Sequence, residues 1–196
     1  MNANATRLNT REAASSTHAH RRSVRREREF GTGYGRSSGY ADGLRRYAGR
    51  DPSRPAAMFR SDVTLEQLNQ WSEGTLMQPL GIVFSEIGED YLRGTMPVDA
   101  RTRQHYGLLH GGASVALAET LGSTAAGLCV GADEGVVGIE INANHLKGIR
   151  EGIVTGTARP LHVGRSTQVW EIRIEDENGQ LACVSRLTLA VIRRRA

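Results

Sequence analysis

The stretch QHYGLLHGGASVALAETLGSTAAGL, residues 104–128, organises this chain. A His-Gly-Gly entry leads into residues 111–127, of which thirteen of seventeen are Gly, Ala, Ser or Thr. We expect one central helix here, although each internal glycine costs about 1 kcal/mol relative to Ala, because small side chains let other backbone pack closely around it. The helix carries a single acid, Glu119. A buried carboxylate is unfavourable unless it is paired, and an unpaired one indicates a functional site.

Length and composition limit what the chain can be. Its 196 residues are enough for one domain with a sizeable core. No apolar run approaches the roughly 20 residues of a membrane span, and the N-terminus lacks the apolar core of a secretory signal. Cys129 and Cys183 fit no CxxC or metal-ligand spacing, so free thiols are expected. These features predict a soluble, cytoplasmic protein without a membrane partner.

The net charge of +4 averages two unlike parts. Residues 1–60 hold 13 Arg and 5 acids, whereas residues 61–196 hold 12 basic and 16 acidic residues. We predict a disordered, basic N-terminal extension over 1–60 and a mildly acidic domain over 61–196. A transit peptide, or a product that begins at Met58, are the alternatives for the extension. No nucleic-acid partner is expected for the folded domain.

Segments on both sides of the central helix indicate an antiparallel sheet. Thr64 and Gln67 match a capping box for a short helix. Because strands and helices do not alternate, a doubly wound nucleotide-binding fold is excluded, and the pattern predicts an α+β fold in which the sheet packs on one long helix. The predicted strands, of which the first two form a hairpin, are at about 81–87, 91–98, 136–147, 152–162, 166–176 and 180–192.

The helix combines two features that indicate chemistry. Gly111 and Gly112 match neither phosphate-loop pattern, so we interpret them as exposing N–H groups that hold an anion or a developing oxyanion at the helix N-terminus; tight packing is the alternative for either one. Glu119 has Ser123 at i+4 and no basic residue within a turn. Burial is expected to raise its pKa, which favours a catalytic base or nucleophile over a structural acid paired with a distant Arg.

The spacing of these groups constrains the assembly. Eight residue steps separate Gly111 from Glu119, about 12 Å along a helix. That is too far for the carboxylate to reach a carbonyl held at the N-terminus of its own helix. If both groups act on one substrate they come from different subunits, so we expect the site at a dimer interface and an inactive monomer.

Two other kinds of site are disfavoured. No G-x-S-x-G is present, and Ser114 and Ser123 lie inside the helix rather than on a strand–helix elbow, which argues against a serine hydrolase. No metal site is expected either, because no pair of histidines has zinc-ligand spacing.

Three segments resemble the hotdog-fold acyl-CoA thioesterases: GLLHGGASVALAETLGS, VVGIEINANHLK and RPLHVGRSTQVWEI. The resemblance runs from about residue 60 to the C-terminus. Within the family it is to the group of 4-hydroxybenzoyl-CoA and phenylacetate-pathway thioesterases, nearest to the 1,4-dihydroxy-2-naphthoyl-CoA hydrolases of menaquinone biosynthesis. It implies a curved antiparallel sheet wrapped around a central helix, with subunits joined edge to edge into dimers and, in most members, homotetramers.

The resemblance also implies roles for individual residues. Glu119 would attack the thioester or activate water, and the Gly111 N–H would polarise the carbonyl. Gln104 and His110 match positions that orient substrate or water, and Ser123 matches the position that places the hydrolytic water. The coenzyme A part of the substrate is expected to contact residues near the strand ends, namely His145, Lys147, Arg165 and Ser166.

These observations predict a thioesterase that hydrolyses an aromatic, 1,4-dihydroxy-2-naphthoyl-CoA-like or medium-chain acyl-CoA to the free acid and CoA. No cofactor is expected beyond the coenzyme A of the substrate. Two alternatives stay open. A hotdog dehydratase is disfavoured because the Asp/His pairing of hydratases is missing, and a non-catalytic acyl-CoA-binding protein is disfavoured because residues 1–60 show no helix-turn-helix pattern.

Overall fold

The computed structural model describes residues 58–60 and 62–194. The predicted N-terminal extension therefore falls almost entirely outside the described residues. Phe59 is buried and stacks on Trp170, with the ring centroids 6.2 Å apart. The Arg60 N–H donates to the Leu128 carbonyl at 3.0 Å. Packing in the domain thus includes Phe59, which precedes the predicted boundary at residue 61.

Two short helices precede the sheet: α1 at Leu65–Trp71 and α2 at Met77–Leu80. The predicted capping box at the start of α1 is confirmed, because the Gln67 N–H donates to Thr64 Oγ1 and the Thr64 N–H donates to Gln67 Oε1. In residues 58–60 and 62–194, no helix is long and apolar enough to cross a membrane.

The six predicted strands and the central helix are all present, each strand within two residues of its expected bounds. The strands form one antiparallel sheet in the order β1-β2-β4-β5-β6-β3. The elements are β1 at Val83–Ile87, β2 at Leu92–Pro97, α3 at Gly111–Leu128, β3 at Glu134–His145, β4 at Ile153–Val163, β5 at Thr167–Glu175 and β6 at Leu181–Arg193.

The small residues of α3 let the helix and the sheet approach closely, as the sequence predicts. A Cβ added at Gly122 would lie 2.6 Å from Leu187 Cδ2 on β6, and one at Gly156 would lie 2.5 Å from Leu121 Cδ1 of the helix. Leu121 and Leu187 are fully buried there. The α+β fold with a sheet wrapped around one long helix, which is the hotdog arrangement, is confirmed.

One edge of this sheet is formed by β3. Among the described strands β3 pairs only with β6, so its other side is unpaired over twelve residues. Val137 and Ile139 on this edge are 45% and 63% exposed. The pairing with β6 shifts register between Gly138 and Glu140, which marks a β-bulge at Ile139. A long, apolar, unpaired edge is a template for pairing with another strand.

Candidate active site

His110 caps the N-terminus of α3 and leaves one amide unused. The backbone of His110 is extended, and its Nδ1 accepts from the Gly112 N–H at 2.8 Å. Its carbonyl oxygen accepts from the N–H groups of Ala113 and Ser114 at 2.9 and 3.1 Å. The Gly111 N–H has no acceptor among the described residues. A free donor at the positive end of the helix dipole can therefore hold the oxygen of a substrate carbonyl.

Buried contacts fix the position of His110. Its N–H donates to the Thr102 carbonyl at 2.8 Å, and the Thr102 side chain donates to the Pro97 carbonyl at 2.7 Å. Thr102 is 1% exposed. Because Nδ1 of His110 accepts a hydrogen bond, its neutral ring carries the proton on Nε2. The entry to the helix is thus tied to the end of β2.

Gln104 lies in a tight loop just before the helix. Its N–H donates to the Leu108 carbonyl at 2.8 Å, and its own carbonyl accepts from the Gly107 N–H at 2.8 Å. The side-chain Oε1 accepts from the Tyr106 N–H. Since a backbone N–H requires an oxygen acceptor, this contact fixes the orientation of the Gln104 amide and leaves its NH₂ group without an acceptor in the described part of the chain.

Gly111 and Gln104 line one cavity of about 300 Å³. His145 contributes to its wall beside the helix N-terminus, since a Cβ added at Gly111 would lie 2.8 Å from His145 Nε2. The lining therefore combines hydrogen-bond donors with apolar side chains. The full lining is Gln104, Leu108, Leu109, Gly111, Ser114, His145, Leu146, Lys147, Gly148 and Ala182.

Glu119 is half-buried on α3 and does not line this cavity. Its Oε1 would lie 2.5 Å from a Cβ at Gly138, so the carboxylate lies against the bulged stretch of β3. Burial raises the pKa of the Glu119 carboxyl above its usual value of 4.5, and a hydrogen bond with Ser123 opposes part of that rise. The direction agrees with the sequence prediction, and a weakly solvated carboxylate is a better base or nucleophile.

Within one chain the two reactive groups are held apart. Gly111 contacts His145 at the end of β3, whereas Glu119 contacts Gly138, seven residues earlier on the same strand. The helix and β3 therefore run in opposite directions past each other. One chain does not bring the predicted Gly111 donor and the predicted Glu119 carboxylate together.

The predicted coenzyme A contacts are also divided between two places. Lys147 follows β3 near the cavity, where it forms an ion pair with Asp176 at 2.5 Å and a hydrogen bond with Gln180. Arg165 and Ser166 precede β5 at the other end of the sheet, because Thr167 is paired with Ala190, and Ala190 with Val137 near the start of β3. Single-chain geometry does not gather these side chains into one site.

Three features of the site were missed by the sequence reasoning. Gly138 is one, although a glycine inside a strand pattern signals a bulge or a close backbone approach. Asp176 as the partner of Lys147 is another, and its 29-residue separation along the chain gives no local signal. The third is Ser114, which was considered only as a nucleophile but lines the cavity.

The amino-acid sequence was compared with known protein families and with individual relatives. A model of the thioesterase superfamily matches residues 106–183, which contain α3, β3, β4 and β5. The 1,4-dihydroxy-2-naphthoyl-CoA hydrolase of Escherichia coli is 53% identical over 135 residues, 69% of this chain and 99% of the relative. Proofreading thioesterase EntH of Cronobacter sakazakii is 51% identical over 135 residues, 69% of this chain and 98% of the relative.

Solved structures give the same result. A thioesterase from Haemophilus influenzae superposes with a TM-score of 0.68 at 52% identity and covers 69% of this chain and 95% of its own. A thioesterase mutant from Pseudomonas aeruginosa gives a TM-score of 0.69 at 48% identity, covering 70% and 99%. The chain belongs to the thioesterase superfamily. It is accordingly an enzyme, a thioester hydrolase.

Proposed function

We propose that this enzyme hydrolyses an acyl-CoA thioester to the free acid and CoA. The acyl group is either aromatic, similar to 1,4-dihydroxy-2-naphthoyl, or a medium-length chain. The observation that carries the proposal is the cavity at the start of α3, where the Gly111 N–H and the Gln104 amide are both free to donate. Leu108, Leu109 and Leu146 give the same cavity apolar walls suited to an acyl group. The name of the Escherichia coli relative supports the substrate class.

The chemistry assigned to these groups is a simple displacement. The thioester carbonyl oxygen accepts a hydrogen bond from the Gly111 N–H, which stabilises the negative charge that forms on it. The Glu119 carboxylate either attacks the carbonyl carbon, giving an acyl-enzyme anhydride that water cleaves, or takes a proton from the attacking water. In both routes the C–S bond breaks and CoA leaves as a thiolate, which takes its proton from solvent water in the first route and from the Glu119 carboxyl in the second. Ser123 and His110 orient the water and the substrate.

The separation of Gly111 from Glu119 requires a second chain. We assign the dimer to antiparallel pairing of β3 with β3 of the partner, because this edge is long and unpaired and exposes Val137 and Ile139. If Gly138 lies opposite His145 of the partner subunit, the two-fold axis passes between Ile141 and Asn142. That register brings Glu119 to the Gly111 cavity of the other chain. It also brings the end of the sheet with Arg165 and Ser166 toward the partner's Lys147.

Replacing the acid tests the assignment. Glu119→Ala is expected to lower kcat on the order of 10³-fold or more, the size of effect expected for a lost general base or nucleophile. Glu73→Ala, which changes an exposed acid far along the chain, is the matched control. Both proteins should keep the oligomeric mass of the wild type by light scattering. Unchanged kcat in Glu119→Ala would refute the role of the carboxylate.

A hydrolysis screen tests the substrate class. Release of CoA thiol from a panel of aromatic and aliphatic acyl-CoAs is followed at equal concentrations. We expect the highest kcat/KM for a hydroxyaromatic or medium-chain acyl group. Turnover restricted to short, polar acyl groups would contradict the apolar lining of the cavity.

A further inference from the structure

Ser114 occupies a position where the helix pattern calls for an apolar side chain. It begins the core-facing stripe that continues with Leu117, Ala118 and Leu121, at the i, i+3, i+4 and i+7 spacing of one helix face. Ser114 is only 3% exposed. A hydroxyl buried at this depth is unfavourable unless it finds a hydrogen-bond partner.

Among the described residues, the Ser114 hydroxyl has no hydrogen-bond partner. A buried helical serine commonly donates to the carbonyl four residues earlier, as Ser72 does to Leu68 at 3.0 Å. For Ser114 that carbonyl belongs to His110, which already accepts from the N–H groups of Ala113 and Ser114. Two bonds occupy both lone pairs of a carbonyl oxygen. The hydroxyl is therefore available to a ligand.

The hydroxyl faces the cavity that holds the Gly111 N–H. Among the described residues no fully enclosed side-chain nitrogen or oxygen lacks a hydrogen-bond partner. Since the Ser114 hydroxyl lacks one, its oxygen is not fully enclosed, and Ser114 lines the cavity with Gly111 and Gln104. Helical side chains lean toward the N-terminus, and residues at i and i+3 share a face. The Cβ of Ser114, which carries the hydroxyl, therefore leans toward the turn that carries Gly111.

We propose that Ser114 is a further catalytic residue, whose hydroxyl donates a hydrogen bond to the thioester carbonyl oxygen beside the Gly111 N–H. The inference rests on the proposed hydrolysis of acyl-CoA. When the carbonyl carbon becomes tetrahedral, the electron pair of its π bond moves onto oxygen, and both donors stabilise that charge without transferring a proton. Ser114 is not the nucleophile. It completes an oxyanion hole of which the amide alone is one half.

The test compares Ser114→Ala with a matched control. Ser185→Ala removes another buried hydroxyl, on β6 and outside the cavity, whose recorded side-chain contact is with Cys183 at 3.7 Å. Using the preferred acyl-CoA, we expect kcat of Ser114→Ala to fall on the order of 10²-fold, with KM within about threefold of the wild type. Ser185→Ala should keep kcat within about twofold. A purely structural role for Ser114 would not separate kcat from KM in this way.

Ser114→Thr keeps the hydroxyl and should recover most of the lost kcat. Ser114→Cys keeps the size but donates weakly, so it should fall between Ala and Thr. If Ser114→Ala does not fold, the difference in kcat between the Thr and Cys variants tests the proposal instead. A kcat of Ser114→Ala within about twofold of the wild type would overturn the inference. So would a well-folded Thr variant no better than Ala.

Glu119→Ala, measured beside these variants, separates this inference from the proposed function. If the wild type turns over acyl-CoA and Glu119→Ala does not, an unchanged Ser114→Ala overturns only the role of Ser114. If wild type and Glu119→Ala are equally slow on every acyl-CoA, the proposed function itself fails, and the role of Ser114 fails with it.

Discussion

Gly111 and Glu119 lie about two turns apart on one helix, and they are made reactive by opposite means. Around Gly111, His110 accepts hydrogen bonds from the N–H groups of Gly112, Ala113 and Ser114, and the Gly111 N–H stays free. Around Glu119, burial raises the pKa of the carboxyl, and the hydrogen bond with Ser123 lowers it in part. The Gly111 N–H is free because its neighbours use the acceptors of His110, whereas the Glu119 carboxylate is reactive because burial leaves it weakly solvated.

Both regions rest on the same strand. His145 packs against Gly111, and Gly138 makes room for Glu119. Whatever fixes β3 therefore fixes both halves of the proposed site, and pairing of β3 with a second copy would set their separation across the interface. We therefore expect activity to depend on the position of β3, an edge strand, more than on the packing of the core.

The largest effect is expected from subunit complementation, which tests whether Gly111 and Glu119 act across two chains. Glu119→Gln removes the carboxylate, and Gly111→Pro removes the amide, so each protein alone should be nearly inactive. After random mixing by co-expression, half of the dimers are mixed and each has one intact site, so about a quarter of wild-type activity should return. The measurement is specific activity of the purified mixture. No recovery, with mixed dimers present, would show that both groups act within one chain.

The second prediction isolates the Gly111 N–H. Proline is favoured at the first helical position, and His110 before it has φ −69° and ψ 130°, which a residue preceding proline adopts readily. Gly111→Pro should therefore fold while losing the donor, and kcat should be on the order of 10²-fold lower than in the control. That control is Gly111→Ala, which keeps the N–H but makes the same Cβ contact with His145. Equal kcat values would exclude the amide from the reaction.

The smallest expected effect is a change in pH dependence at the Glu119 end. The reactive form is the carboxylate, so kcat/KM should fall as pH drops through a pKa that burial raises above 4.5. Ser123 opposes that rise, so Ser123→Ala should raise the pKa further and move the acid limb to higher pH. Profiles of kcat/KM against pH for wild type and Ser123→Ala decide it, with Ser185→Ala as the control. A limb that moves to lower pH would contradict this assignment.

The fold was predictable because its local and global signals agree. The small residues of α3 and the Thr64 capping box each indicate the structure that forms. The helical rise alone predicted that Gly111 and Glu119 are separated. These properties depend on residues close together in sequence, so one sequence is sufficient to predict them.

The contacts that complete the site could not be predicted in this way. Gly138 meets Glu119 only because β3 passes α3 in the opposite direction, which depends on the order of strands in the sheet. In the sequence, Ser114 is one of many small helical residues. Its free hydroxyl is recognised only once the structure shows that the His110 carbonyl already accepts two hydrogen bonds. Both depend on tertiary hydrogen bonds and packing, for which the local sequence carries no pattern.

The packing of Phe59 determines where a purification tag can be joined and how far the N-terminus can be shortened. The Arg60 N–H binds the Leu128 carbonyl at the C-terminal end of α3, and the helix has 18 residues, about 27 Å of length at 1.5 Å per residue. The chain thus enters the domain at the opposite end of the helix from the Gly111 cavity. A purification tag joined ahead of Met58 is attached far from the cavity of its own subunit, and trimming that stops short of Phe59 preserves its stacking on Trp170.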